Sequence, residues 1–160
     1  MKISAAVFFL ATLIEAASGC SKVSAAADAE KTAPLAAGPA RPSLDNANYR
    51  AELRSGGACR KNSPCVAEVL VEAKGDYHIN DKYPYRFKLE DPPPPGIKYP
   101  KPVVGKEDGT MDERKVVLKV PFVSEVSGQT KVAGTLSLSV CSAANCLMDK
   151  QPLELTVKVE

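Results

Sequence analysis

Apolar and polar residues alternate along most of the chain beyond Asp45. The first alternating stretch is Tyr49, Ala51 and Leu53, and a compact apolar run follows from Cys65 to Val71. The later apolar positions are Tyr83, Tyr85, Phe87 and Leu89; Val116, Leu118, Val120 and Phe122; Val132, Leu136, Leu138 and Val140; and Leu153, Leu155, Val157 and Val159. A period of two places one face of each segment in a core and the other in water. The pattern therefore predicts a series of half-buried antiparallel strands.

The breaks between these runs contain Gly, Pro, Asn and Asp, and no stretch has the period of a long helix. About seven short strands of this kind in residues 46–160 predict an all-β domain with an immunoglobulin-like antiparallel β-sandwich. The run Asp91 to Gly96 contains four consecutive prolines and predicts a stiff crossover between strands rather than a PxxP ligand. Ser127-Gly128-Gln129 predicts a hairpin turn between two long strands.

Residues 1–19 have the organisation of an export signal. Lys2 precedes an apolar run from Ile3 to Ile14, which is shorter than the roughly 20 residues of a membrane-spanning helix. The following Ala17-Ser18-Gly19-Cys20 resembles the lipobox of bacterial lipoproteins, although Ala17 stands where that family usually has Leu. The resemblance implies a lipidated Cys20 that anchors the protein in the bacterial cell envelope, on the outer membrane facing the periplasm. Ordinary cleavage, giving a soluble exported product, is the alternative.

Residues 20–45 are rich in Ala and Pro and lack an apolar period. Prolines interrupt helices and favour extended chain, so this segment is predicted to be a disordered or semi-rigid tether between the membrane and the domain. A short docked helix from Ala25 to Lys31 is the alternative.

Charge excludes one class of partner. The chain has 21 Lys and Arg against 19 Asp and Glu, a formal net charge of +2, which is too small to indicate nucleic acid. The carboxylate pairs Glu107-Asp108 and Asp112-Glu113 are interpreted as solvated loop residues, and the single histidine, His78, as a strand-end residue rather than a catalytic base. No cofactor is expected.

Four cysteines remain once Cys20 is assigned to the lipid, and they form two local pairs, Cys59 with Cys65 and Cys141 with Cys146. Two disulfides are expected in an oxidising compartment, although four cysteines permit three connectivities. Neither spacing fits a zinc knuckle, so no metal site is predicted. Cys141 is in phase with the polar residues Thr135, Ser137 and Ser139, which predicts that it lies near solvent, with Cys146 in the adjoining turn.

Two segments resemble the N-terminal periplasmic domain of the DsbD-type thiol:disulfide interchange proteins. They are Gly134 to Cys141 followed by Cys146-Leu147, and Gly75 to Asn80 with its Tyr77-His78 pair. The resemblance covers residues 48–160 and implies an immunoglobulin-like fold in which Cys141 and Cys146 are the redox pair and Cys146 is the attacking thiol. In that family the pair passes electrons from a membrane partner to exported thiol-disulfide proteins. Leu147-Met148 and Ser139 depart from the family pattern of prolines after the second cysteine and Gln before the first.

Two functional hypotheses follow. In the first, the domain is a non-enzymatic protein-binding or assembly module of the envelope, and both cysteine pairs are structural disulfides. In the alternative, Cys141 and Cys146 carry out thiol-disulfide exchange with envelope proteins. The tyrosines could supply contact area in either case, but packing is the more common use of aromatic residues along a strand. The tyrosines concerned are Tyr77, Tyr83, Tyr85 and Tyr99.

Overall fold

The computed structural model describes residues 40–160, and two antiparallel sheets form a β-sandwich there, as the sequence predicts. The predicted signal peptide, the candidate lipidation site Cys20 and the tether as far as residue 39 lie outside the described residues. The last three residues of the predicted tether form the first strand, β1. Within residues 40–160 no helix is long and apolar enough to cross a membrane.

The first sheet contains six strands in the order β1-β2-β3-β9-β6, with β8 paired to the other part of β9. Its strands are β1 (Ser43–Asp45), β2 (Tyr49–Ser55), β3 (Pro64–Ala73), β6 (Ile97–Lys98), β8 (Gly109–Met111) and β9 (Lys115–Ser124).

The second sheet contains five strands in the order β11-β10-β5-β7, with β4 paired to the far end of β10. Its strands are β4 (His78–Ile79), β5 (Arg86–Leu89), β7 (Val103–Gly105), β10 (Gly128–Cys141) and β11 (Cys146–Val159). A short 3-10 helix, Lys106–Asp108, connects β7 to β8.

The core lies between the two sheets and consists of the residues that the alternation selects. Every predicted inward residue of β2, β9 and β10 is buried, and so are Phe87 and Leu89 of β5. In β11 the inward residues Leu153, Val157 and Val159 are buried and Leu155 is half-buried. Burial of these aliphatic and aromatic side chains is the main force that holds the sheets face to face.

Two predicted connections differ in the structure. The strand expected from Tyr83 begins only at Arg86, because the backbone N–H groups of Tyr83 and Tyr85 donate to the nearby carbonyls of Asn80 and Tyr83 in turns and not to a neighbouring strand. The prediction of a hairpin at Ser127 to Gln129 is wrong, since β9 and β10 belong to different sheets. Gly128, with φ of 98°, supplies the left-handed conformation that this sheet-to-sheet turn requires. The proline run from Asp91 to Gly96 is a crossover as predicted, and it leads from β5 of one sheet to β6 of the other.

Candidate functional site

The four cysteines form two disulfides, Cys59 with Cys65 and Cys141 with Cys146. The Cα atoms are 5.2 Å apart in the first pair and 4.0 Å apart in the second. Both bonds close short loops, as the spacing predicts, but they lie at opposite ends of the long β10-β11 hairpin. Cys59 bridges to Val159, whereas Cys146 is the first residue of β11. The thirteen steps between these positions correspond to about 43 Å of strand.

The Cys59–Cys65 bond is buried and ties together one end of the sandwich. Each cysteine is only 3% exposed. Cys65 pairs with Phe122 in the first sheet, while the carbonyl of Cys59 accepts a hydrogen bond of 2.9 Å from the backbone N–H of Glu160, at the end of β11 in the second sheet. The loop that the bond closes therefore contacts both sheets.

The Cys141–Cys146 bond joins directly opposite residues at the tip of the β10-β11 hairpin. The backbone N–H of Ser142 donates to the carbonyl of Asn145 over 2.8 Å, which makes that pair a hydrogen-bonded one. The ladder alternates, so the next pair, Cys141 and Cys146, is not hydrogen-bonded, and this type of pair brings Cα atoms closest. The bond is thus a cross-strand link just below a tight turn.

The two cysteines at the tip differ in exposure. The prediction that Cys141 lies near solvent is wrong, since Cys141 is 7% exposed and Ser139 is fully buried. The reason is that β4 adds to the end of β10 and places His78 opposite Cys141, while Cys146 covers the other side. Cys146 is exposed, but the prediction that it lies in the turn is wrong, because it is the first residue of β11. An incoming group would therefore meet Cys146 before Cys141.

The segment from Tyr77 to Tyr85 packs against this end of β10 through polar contacts. The Tyr77 hydroxyl donates to Asn145 Oδ1 over 3.1 Å, and Asn80 Nδ2 donates to Ser139 Oγ over 3.3 Å. The Tyr85 hydroxyl donates to the carbonyl of Ser139. Burial raises the pKa of Tyr85 to about 12, so it remains a neutral donor at neutral pH. The hairpin tip is therefore held from one side by hydrogen bonds of this segment.

Beneath the hairpin a second polar contact joins the two sheets. Tyr49 of β2 is 2% exposed, and its hydroxyl donates to Asp149 Oδ2 over 2.5 Å. The same oxygen accepts a hydrogen bond of 2.9 Å from Gln151 Nε2. Burial, and then the hydrogen bond and negative charge of Asp149, raise the pKa of Tyr49 well above its usual range. The carboxylate lies three residues after Cys146 and connects β11 to the opposite sheet.

The other residues considered from the sequence do not form a catalytic cluster. Asp108 is paired with Lys101 and accepts a hydrogen bond from the backbone N–H of Gly105, contacts that lower the pKa of its carboxyl. Asp112 accepts the backbone N–H groups of Arg114 and Lys115. Among residues 40–160 there is no cluster of His, Cys, Asp and Glu that could hold a metal ion.

The tyrosines pack rather than form a continuous exposed surface. Tyr85 is buried, and Tyr77, Tyr83 and Tyr99 are half-buried against the core. The rings of Tyr83 and Tyr85 meet edge to face with centroids 5.9 Å apart. Packing against the core therefore explains the positions of these four tyrosines.

Three features of the site escape sequence reasoning. They are the contact between Tyr49 and Asp149, the burial of Ser139 and Cys141 by β4, and the 73% exposure of Met148 beside Cys146. The first two depend on contacts between residues far apart in the chain. The third had a local signal, since Met148 is in phase with Lys150 on the outward face of β11.

The sequence matches no protein-family model and no curated protein. Among solved structures it is similar to a cohesin module from a family 33 glycoside hydrolase of Clostridium perfringens, with 15% sequence identity and a TM-score of 0.37. The match covers 72% of this chain and 98% of the module. A similarity at this level carries no inference about what the protein does.

Proposed function

We propose that this chain is a lipid-anchored envelope protein whose domain exchanges disulfides with other proteins through Cys141 and Cys146. The observation that carries the proposal is the contrast between the two bonds. Both bonds close loops of similar length, but Cys59 and Cys65 are both buried, whereas Cys146 of the second bond is exposed at a hairpin tip. Accessible disulfides are the ones that a partner thiol can attack. The resemblance to the DsbD-type domain supports the same two residues and the same attacking thiol.

The chemistry follows from which sulfur is accessible. In the oxidised domain a partner thiolate attacks the Sγ of Cys146, a mixed disulfide forms, and Cys141 leaves as a thiolate. In the reduced domain the Cys146 thiolate attacks a partner disulfide and releases one partner thiolate. Cys141 then attacks Cys146, re-forming the intramolecular bond and releasing the second partner sulfur. Electrons are conserved at each step, and the partner supplies or receives the pair.

The reduction potential of the Cys141–Cys146 bond tests this proposal. It is measured by thiol trapping across a glutathione series in the chain from residue 20 onward with Cys20→Ser, so that only the paired cysteines remain. Each bond is resolved separately by mass spectrometry. A value between about −270 and −120 mV, the range of exchange proteins, is expected. A value below about −300 mV, typical of structural disulfides, would contradict the proposal.

Single-cysteine variants test the asymmetry between the sulfurs. Cys141→Ser leaves the exposed Cys146 free and is expected to trap mixed disulfides with envelope proteins. Cys146→Ser leaves the buried Cys141 and is the matched control, expected to trap far less. Equal trapping by both variants, or none by either, would count against Cys146 as the attacking thiol.

A second candidate is a binding or assembly module in which both disulfides are structural. The observation that favours it is the placement of the Cys141–Cys146 bond between directly opposed residues, where it closes the hairpin as a clasp. Under this hypothesis the Cys141→Ser/Cys146→Ser variant keeps its function in the envelope, whereas under the exchange hypothesis that variant loses it.

The membrane anchor is a separate part of the proposal. Mass spectrometry of the exported protein is expected to find a diacylglycerol-modified Cys20 at the mature N-terminus, and Cys20→Ala is expected to abolish membrane association. A mature chain that begins elsewhere without lipid would establish the soluble alternative.

A further inference from the structure

The outer edge of β11 beside Cys146 carries backbone groups that are not paired within residues 40–160. β11 is an edge strand, with β10 on its inner side only. Because Cys141 and Cys146 are a non-hydrogen-bonded pair, the even-numbered residues of β11 direct their N–H and C=O groups away from β10. The N–H groups of Cys146 and Met148 point outward and have no partner in the described part of the chain, whereas that of Lys150 is bound by Asp149 Oδ1 at 2.7 Å.

The same edge is occupied elsewhere by extended segments of the chain itself. Arg41 bridges in parallel to Leu153, and its carbonyl accepts the outward N–H of Glu154 over 3.0 Å. At the far end, Cys59 bridges in parallel to Val159 and accepts the N–H of Glu160. Both contacts use the even-numbered outward groups, which confirms the direction of the edge. Extended chain therefore pairs with this edge in two places, whereas no group of residues 40–160 accepts the N–H groups of Cys146 and Met148.

We infer that the edge from Cys146 to Lys150 docks an extended cysteine-containing segment of the partner protein by strand addition. Strand addition supplies main-chain hydrogen bonds to an exposed sheet edge and leaves the side chains to set specificity. The exposed Met148 side chain offers apolar contact to such a segment. Beyond Met148 the N–H of Lys150 is bound by Asp149, and Pro152 has no N–H to donate. A cysteine held opposite the start of β11 would lie beside Cys146.

The inference rests on the proposed exchange function and names what the site recognises. The docked segment's thiolate attacks the Sγ of Cys146 and forms the mixed disulfide, Cys141 leaves as a thiolate, and a second thiol of the partner resolves the mixed disulfide. Docking is independent of this chemistry, so the two can be tested separately.

The binding test uses the chain from residue 20 onward with Cys20→Ser and Cys141→Ser/Cys146→Ser, which cannot exchange. The probe is the peptide acetyl-Thr-Val-Cys-Val-Thr-amide. The control is the same peptide with the backbone nitrogens of its two Thr and two Val residues methylated. We expect the plain peptide to slow amide hydrogen exchange at residue 146 and at Met148 about tenfold at saturation, with no effect from the methylated peptide. No slowing at these two amides would overturn the inference.

The exchange test measures how fast the peptide thiol opens the Cys141–Cys146 bond in the Cys20→Ser chain. Met148→Pro removes the outward N–H without removing a hydrogen bond to β10, and Pro152 already occupies an equivalent outward position. We expect Met148→Pro to slow the peptide reaction about fivefold to tenfold and to leave the reaction with glutathione unchanged. Thr156→Pro, which removes an outward N–H far along the same strand, is the matched control and should change neither rate.

The outcomes separate the two proposals. Amide protection by the peptide without a peptide reaction supports the docking edge and contradicts the exchange function. A peptide reaction that Met148→Pro does not slow supports exchange and overturns the docking edge.

Two other occupants of the edge would also overturn the inference. One is the chain's own tether, shown if the residue 146 and Met148 amides are already protected without peptide and lose protection when residues 21–39 are deleted. The other is a second copy, shown if their protection rises with protein concentration together with dimer formation.

Discussion

The two ends of the sandwich are held by different means. At one end the buried Cys59–Cys65 bond closes a loop whose backbone contacts both sheets. At the other end the Cys141–Cys146 bond is exposed on one side, and tyrosine hydroxyls supply the contacts around it, from Tyr85 to the backbone of Ser139 and from Tyr49 to Asp149. A buried disulfide can serve stability alone. An exposed disulfide can open without loss of the local fold only if other contacts keep the hairpin in place. The difference assigns a structural role to the first bond and leaves the second available for chemistry.

The largest expected effect is the loss of stability when the buried Cys59–Cys65 bond is removed. Cys59→Ala/Cys65→Ala should lower the free energy of unfolding by about 3 to 4 kcal/mol, because it removes the loop closure and two buried sulfurs together. The matched control, Cys141→Ala/Cys146→Ala, removes a bond that closes a loop of similar length but has one exposed cysteine, and it should cost about 2 kcal/mol or less. Urea unfolding measures both. An equal or larger loss in the control would refute the structural assignment.

The second prediction is that the two disulfides differ in their rate of chemical reduction. With dithiothreitol, Cys141–Cys146 is expected to open about 100-fold faster than Cys59–Cys65, since the buried bond must wait for a local opening that costs about 3 kcal/mol. Timed alkylation of the Cys20→Ser chain followed by mass spectrometry gives both rates. Simultaneous loss of the two bonds would show that the ends open as one unit.

High pH should weaken the tyrosine-held end. Tyr85 has a pKa of about 12 in the folded protein and about 10 unfolded, so its contribution is intact below pH 10 and is lost as the pH rises towards 12. The loss is about 2 kcal/mol, and Tyr49, whose pKa is also raised, adds to it. Stability measured from pH 8 to 12 should decline less in Tyr85→Phe and in Tyr49→Phe, and least in the double variant. The same decline in the variants as in the parent chain would show that the loss of stability at high pH does not come from these tyrosines.

The smallest effect tests the inter-sheet contact beneath the hairpin. Tyr49→Phe should lower stability at neutral pH by about 1 kcal/mol, because Asp149 loses a buried donor but keeps Gln151. Asp149→Asn, which retains an acceptor oxygen, is the milder comparison and should cost less. A larger loss in Asp149→Asn would indicate that the charge of Asp149, and not its acceptor, is what matters.

The fold was accessible from the sequence wherever the controlling interactions are local. The alternation in β9 and β10 selects the inward residues because neighbouring side chains of a strand point to opposite faces whatever the strand pairs with. The turn at Ser127 to Gln129 shows the limit. A turn's residues report that the chain reverses, but two strands joined by a turn can pair with each other or with different sheets, and only the tertiary packing decides which.

The candidate site shows the same division. Among the three possible connectivities, the spacing of the cysteines favoured the two local disulfides that the structure contains, because a bond between residues five or six apart needs only a turn. Which bond is buried was decided by the tertiary structure. The addition of β4 to the end of β10 covers Cys141, which the strand's own parity places on the polar face, and the C-terminal end of β11 helps to enclose Cys59. The sequence by itself therefore determined the inward residues of the strands and favoured local cysteine pairs, whereas the exposure of each cysteine depends on segments that are distant in the chain and meet only on folding.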